Sequence, residues 1–162
     1  MALVILEIPG VKGESSVEKY ERMILCDSFS QDCELEIEPT QNARRTIHVP
    51  KINNLSLERK MDAATPFILR KMLTAKVDDQ KWKIHCLKGL GVDGSMQVEF
   101  MTIELKHPIL SKHTMSVNEG DTTETLEINA VEITWTYIPY SENQKGQGQI
   151  PVTFDTLKGK VV

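Results

Sequence analysis

Hydrophobic and polar residues alternate with a period of two along most of this chain, the signature of half-buried β-strands. Ala2 to Ile8 is an apolar run closed by Pro9-Gly10, which predicts a first strand and a turn. Arg22 to Phe29 predicts a second strand, and Glu34 to Ile37 continues in the same style. Pro39 to Pro50 is polar and reads as an extended loop, of a length that often carries function. Asn54 to Lys60 predicts a strand in which Leu55 and Leu57 alternate with polar neighbours. Lys81 to Leu87 does the same with Trp82, Ile84 and Cys86 against Lys81, Lys83 and His85. Ser141 to Gly148 is a polar, Gly/Gln-rich linker, Ile150 to Phe154 a last short strand, and Lys158 to Val162 a fraying end.

Two longer segments change phase. Met96, Val98 and Phe100 are apolar at even positions, whereas Met101, Ile103 and Leu105 are apolar at odd ones. From Leu126 to Ile138, the series Leu126, Ile128, Ala130 gives way to Val131, Ile133, Trp135, Tyr137. Side chains alternate faces, so each flip requires a bulge or a strand that passes from one buried face to another. Both features belong to closed or strongly curved sheets. Asp62-Ala63-Ala64-Thr65-Pro66 interrupts the strands with a helix start, with Thr65 as N-cap and Pro66 in the first turn. The helix runs to about Ala75, with Phe67, Ile68, Leu69, Met72 and Leu73 forming an apolar face. The predicted fold is mainly β, an antiparallel, barrel-like pair of curved sheets with one short flanking helix over about 65–75.

Composition adds limits. A chain of 162 residues fits one domain, 1–162, with a sizeable core, and 40% hydrophobic with 26% charged residues is ordinary for a globular protein. No stretch approaches the roughly 18–20 apolar residues that span a bilayer. Met1 to Glu7 has no basic n-region or cleavage site, which predicts cytoplasmic synthesis and any export by a signal-independent route. Cys26, Cys33 and Cys86 are odd in number and predict reduced, mostly buried thiols. The net charge of −4 is uneven: residues 44–88 hold 11 Lys/Arg against 4 Asp/Glu, while both flanking segments are acidic. A basic middle between acidic ends suits an anionic ligand or complementary surfaces on copies of one chain.

Candidate chemistry is thin. Gly89-Leu90-Gly91-Val92-Asp93-Gly94 matches G-x-G-x-x-G, but the segment after it alternates as a strand, where a nucleotide site needs a helix. Asp93-Gly94 reads as a hairpin turn. His48, His85, His107 and His113 show no metal-ligand spacing, and His85 and Cys86 point to opposite faces of one strand, so they form no nucleophile pair. Glu34, Glu36 and Glu38 read as a solvated strand face. Arg44, Arg45, Lys51, Arg59 and Lys60 could touch phosphate, yet the acidic balance and the lack of an aromatic basic strand argue against nucleic acid. These residues support no catalytic, metal or cofactor site.

Several blocks occur in a characteristic order: Ile8-Pro9-Gly10-Val11-Lys12-Gly13-Glu14-Ser15, then Ile24 to Gln31, then Leu55 to Pro66, then Val98 to Lys106, and Glu127 to Tyr137. Across essentially its whole length the chain resembles the Hcp family, the haemolysin-coregulated tube proteins of bacterial type VI secretion. Gly13-Glu14-Ser15 and the Asp62 to Pro66 helix start are the most specific blocks. The resemblance implies a β-barrel-like fold with one flanking helix and no enzymatic activity. It also implies hexameric rings that stack into a tube inside a contractile sheath, capped by a spike protein, with effector proteins carried in the lumen. The protein would be made in the cytoplasm and ejected to the extracellular space or a target cell, without membrane insertion and with no fused effector domain. Arg44, Arg45, His48 and Lys51 are the candidate subunit or ring interface, with Arg44 and Arg45 meeting acidic surface on a neighbour. A binding adaptor that never forms tubes, and a small-ligand or nucleotide binder using Gly89 to Gly94, are the alternatives.

Overall fold

The period-two pattern folds into antiparallel sheets in a computed structural model, which describes residues 2–39, 45–90, 96–141 and 146–162. In chain order the elements are β1 (Ala2–Glu7), β2 (Ile24–Cys26), β3 (Ser28–Ser30), β4 (Cys33–Glu34), β5 (Ile37–Pro39), β6 (Arg45–Ile47), β7 (Lys51–Ile52) and β8 (Leu55–Lys60). Then come α1 (Thr65–Thr74), β9 (Trp82–Leu90), β10 (Met96–Lys106), β11 (Ile109–Asn118), β12 (Asp121–Asn129), β13 (Glu132–Tyr137), β14 (Ile150–Asp155) and β15 (Lys160–Val161). A seven-stranded sheet has the order β15-β14-β13-β10-β9-β1-β2, and a four-stranded sheet the order β11-β12-β8-β3. The two sheets do not close into a barrel. β4–β7 and β5–β6 form two small ribbons.

The two phase changes have different causes. In β10 the ladder to β9 slips between Glu99 and Met101, so Phe100 is the extra residue of a bulge. The segment from Leu126 to Ile138 is instead two strands in two sheets: β12 ends in the smaller sheet, and β13 begins in the larger one after Ala130 and Val131. The predicted strand from Arg22 to Phe29 divides in the same way at Asp27, between β2 and β3. A third crossing lies between β10 and β11, where His107 takes a positive φ of 51° before Pro108. At these corners the backbone turns from one sheet to the other, and the face that was inward stays inward. β11 is invisible to alternation alone, because Ser111, Lys112, Thr114 and Ser116 leave it too polar.

The core lies between the sheets. Leu6, Ile24, Leu55, Leu57, Ile84, Ile103, Leu105, Leu126 and Ile128 are fully buried, each burial stabilising the fold by about 1.5–3 kcal/mol gross. The helix start differs from the sequence expectation. Ala64 is the N-cap residue and Thr65 the first helical residue. Asp62 supplies the cap-like bond instead, its Oδ1 accepting from the Ala64 N–H at 2.8 Å. The helix stops at Thr74 because Ala75 turns left-handed, at φ 51°. Ile68 is buried and Met72 packs against the core, but Phe67 and Leu73, expected on the same face, are exposed.

Candidate functional site

Pro39 to Pro50, read as a loop, contains half of a hairpin. Ile37 pairs with Ile47, Glu38 with Thr46 and Pro39 with Arg45, and the His48 N–H donates to the Glu36 carbonyl at 3.0 Å. Facing pairs share a side of a ribbon, so the arm is two-faced. Ile37 and Ile47, with Leu35 and Val49 two residues further along each strand, form an apolar face. All four are exposed, from 44% at Ile37 to 64% at Val49. Glu36, Glu38 and His48 form the other face, their ligand atoms within 4.8 Å of one another. His48 Nε2 lies 3.3 Å from Glu38 Oε1, an exposed cross-strand pair of the kind that contributes little to stability. The arm's base is seated on the C-terminal turn: Gly159, with φ 65°, has no room for a Cβ, which would fall 2.7 Å from Val49 Cγ1.

A second apolar surface lies on the larger sheet. Ile133 opposite Phe154 is buried, and the same face continues through Trp135 opposite Val152 to Tyr137 opposite Ile150. Along that line the cover runs out, and Tyr137, Ile150 and Val152 are 45%, 60% and 50% exposed. Trp135 is held by its indole N–H donating to Gln31 Oε1 at 2.8 Å. A two-stranded ribbon with one bare apolar face is marginal alone in water. Together the ribbon and the bare end of the core face are two different apolar surfaces on one chain.

The most specific sequence blocks prove to be internal supports. Arg59 points inward from β8 and is 1% exposed. Its Nη2 meets Asp62 Oδ1 at 2.6 Å and its Nη1 meets Glu124 Oε2 at 2.8 Å. Thr65 Oγ1 accepts from the Asp62 N–H at 3.1 Å and donates to Glu124 Oε2 at 2.8 Å, while His113 Nε2 lies 2.8 Å from Glu124 Oε1. Asp62 and Thr65 thus bind helix start, β8 and β12 through one buried carboxylate. In the other block, a Cβ on Gly13 would fall 2.5 Å from the Met23 carbonyl oxygen, so only glycine allows the two backbones to meet. Ser15 is buried there, its Oγ accepting from the Val17 N–H at 3.2 Å.

Of the four interface residues predicted from sequence, Arg45 opens β6, His48 follows it and Lys51 sits at its base in β7, all exposed. Arg44 lies outside the described residues. The arm separates Arg45 and His48: Arg45 shares the face of Ile47 and His48 lies on the other with Glu36 and Glu38, while Lys51 stands opposite Glu34 in the adjoining ribbon. Sequence reading missed the arm's apolar face, although Leu35/Ile37 and Ile47/Val49 already alternate with polar residues. Residues 91–95 also lie outside the described residues. The strand after them is antiparallel to β9, with Met96 opposite Leu90, so no helix follows Gly89 to Gly94 as a nucleotide site requires. Burial pushes the Cys26 thiol up to about 12 and the Cys86 thiol up to about 11, and neither is a ready nucleophile. Cys26 and Cys86 are buried and Cys33 is exposed, in line with thiols expected to be mostly buried.

The model of the family described as type VI secretion system effector, Hcp, matches residues 5–137. No curated protein matches the chain in sequence. Solved structures do match in shape. One titled as a type six secretion system protein superposes with a TM-score of 0.85 at 18% identity, over 100% of both chains. Hcp1 of Salmonella typhimurium gives 0.75 at 17% identity over 99% of each. Hcp1 of E. coli EAEC 042 gives 0.74 at 15%, over 96% of this chain and 97% of that one. At such identities the likeness is one of fold.

Proposed function

The chain belongs to the Hcp family of type VI secretion proteins, and from that premise we propose that it is the structural subunit of the secretion tube. Six copies of the single 1–162 tube domain close into a ring, rings stack into a tube within the contractile sheath, and the tube leaves the cell with its spike and its effector cargo. The protein catalyses no reaction and needs no cofactor or nucleic acid. It is made in the cytoplasm and secreted with the tube, and no helix among the described residues is long and apolar enough to cross a membrane.

The observation that carries this reading is the pair of unlike apolar surfaces on one chain. A self-complementary patch makes a two-fold dimer, whereas two different patches that fit one another make a head-to-tail contact, which yields a ring where the rotation between copies closes and an open filament where it does not. The arm (Leu35, Ile37, Ile47, Val49) of one copy lies on the strip (Tyr137, Ile150, Val152) of the next. Full burial of each such side chain is worth about 1.5–3 kcal/mol gross, so a half-exposed set still offers several kcal/mol per junction. Arg45, and Arg44 before it in sequence, meet acidic surface of a neighbour.

Cysteines at Ile47 and Val152, in a chain whose Cys33 is replaced by serine, test the docking. Oxidation is expected to yield a ladder of covalent species ending at six. A ladder that stops at two, or none while single-cysteine controls behave identically, would refute arm-on-strip packing.

A further inference from the structure

Outside the assembly surfaces, one half-buried cluster of ionisable groups has a geometry that only one protonation state satisfies. His85 lies on the outer face of the larger sheet, opposite to Ile84 and Cys86 in the core. Its Nδ1 is 2.6 Å from Glu99 Oε1 on β10, and its Nε2 is 3.0 Å from Glu7 Oε2 on β1. A neutral imidazole has one N–H, so it can donate to one carboxylate only and turns a lone pair towards the other. The imidazolium donates to both. Thr102 Oγ1 and Tyr20 Oη also donate to Glu99, Tyr20 at 3.2 Å, and the Tyr20 ring stands 5.1 Å from the His85 ring.

Tyr20 belongs to the segment that links β1 to β2. That segment makes its own backbone bonds, Gly13 N–H to Arg22 O at 2.7 Å and Arg22 N–H to Ser15 O at 2.8 Å. It also holds Lys19 at φ 73° and Arg22 at φ 62°, left-handed conformations that non-glycine residues keep only when surrounding contacts enforce them. Tyr20 fastens this strained segment to the sheet through Glu99 and the face of His85. The other groups around the cluster are Tyr140, whose O–H donates to the Glu99 carbonyl at 2.8 Å, and Lys88, 5.6 Å from the Tyr140 ring. Lys83 is two residues from His85 on the same strand face, in register with Glu7 and Glu104.

We propose that His85, clamped between Glu7 and Glu99 and covered by Tyr20, is a proton-operated latch: its imidazolium holds residues 11–22 closed over the sheet, and its deprotonation releases them. Burial pulls the imidazole's affinity for a proton down, but hydrogen bonds and charge from Glu99 and Glu7 outweigh it and raise the value above 6.5. A group raised in the fold adds stability in full below its unfolded value and loses it as pH rises through the folded one. The latch therefore opens as pH rises through that raised value. Glu99 is pushed up by burial and pulled further down by bonds from His85, Thr102 and Tyr20, so it stays ionised. Tyr20, raised by burial and Glu99 to about 12, stays protonated, so His85 is the group that changes.

Hydrogen exchange of the full chain from pH 6 to pH 9, corrected for the intrinsic rate, reads the latch directly. Amides of residues 11–22 are expected to lose protection by about tenfold for each pH unit by which His85 is raised, while β8 amides do not change. In His85→Gln the step disappears, and in Tyr20→Phe the segment is open already at pH 6. Glu7→Gln, a change at a partly exposed position, keeps the step and moves its midpoint to lower pH. NMR of the imidazole in the unaltered protein gives the independent check, because its titration must share that midpoint. Protection that is flat with pH, a step that survives in His85→Gln, or an imidazole that titrates without any change in the segment would each overturn the latch.

Discussion

The helix-start network and the β5–β6 arm invert the usual arrangement in opposite senses. At the helix start, Arg59 and Glu124 are charged and inside; on the arm, Leu35, Ile37, Ile47 and Val49 are apolar and outside. The network is complete within one chain: no buried side-chain nitrogen or oxygen among the described residues lacks a partner. The arm is complete only when something covers it. Stability should therefore live in the first region and assembly in the second, and substitutions can separate the two.

The largest effect on folding is expected from Glu124→Ala. It strands a buried guanidinium and removes the acceptor that Thr65 and His113 share, costing about 3–5 kcal/mol in denaturant unfolding. Replacing Arg59 and Glu124 together by Met and Leu should cost much less than the sum of the single changes, because no charge is left unpaired. Gly13→Ala comes next. Its Cβ would meet backbone rather than a movable side chain, for a loss of about 1–3 kcal/mol. The arm should show the converse. Ile37→Ser with Ile47→Ser is expected to leave thermal unfolding of the single chain within about 0.5 kcal/mol, as for surface changes elsewhere, while light scattering shows rings lost. If that pair unfolds the monomer, the arm belongs to the fold and the comparison fails. The smallest effect is expected from reversing Arg44 and Arg45 to Glu. Sedimentation should show weakened stacking at low salt and little change at high salt, since exposed charges are screened within about 10 Å at 0.1 M.

Much of this is legible in the sequence. The shift of parity within β10 marks the place of the bulge at Phe100, and Leu55/Leu57 locate a buried strand correctly. The change after Ala130 is legible as an event but not as a corner, because a bulge and a change of sheet produce the same shift of parity. The arm is hidden by composition: Arg44, Arg45 and the neighbouring polar residues outweigh a short alternation that needs its partner strand to be recognised. The buried polar network is legible only in part. Arg59 has the parity of Leu55 and Leu57, and Glu124 that of Leu126 and Ile128, which puts both charges on a core face, but they lie 65 residues apart in sequence and alternation alone does not pair them. The Thr65-Pro66 start is legible for a partly wrong reason. Thr65 matters for its hydroxyl's link to Glu124 and to the Asp62 N–H, not as the N-cap.

Size-exclusion chromatography with multi-angle light scattering, followed by electron microscopy of the same peak, tests the central claim most directly. Ring formation predicts a species of six times the 18.3 kDa chain mass, seen end-on as six-fold annuli that stack at high concentration. A species that stays at one chain mass at millimolar concentration, with no annuli in the images, would contradict the account.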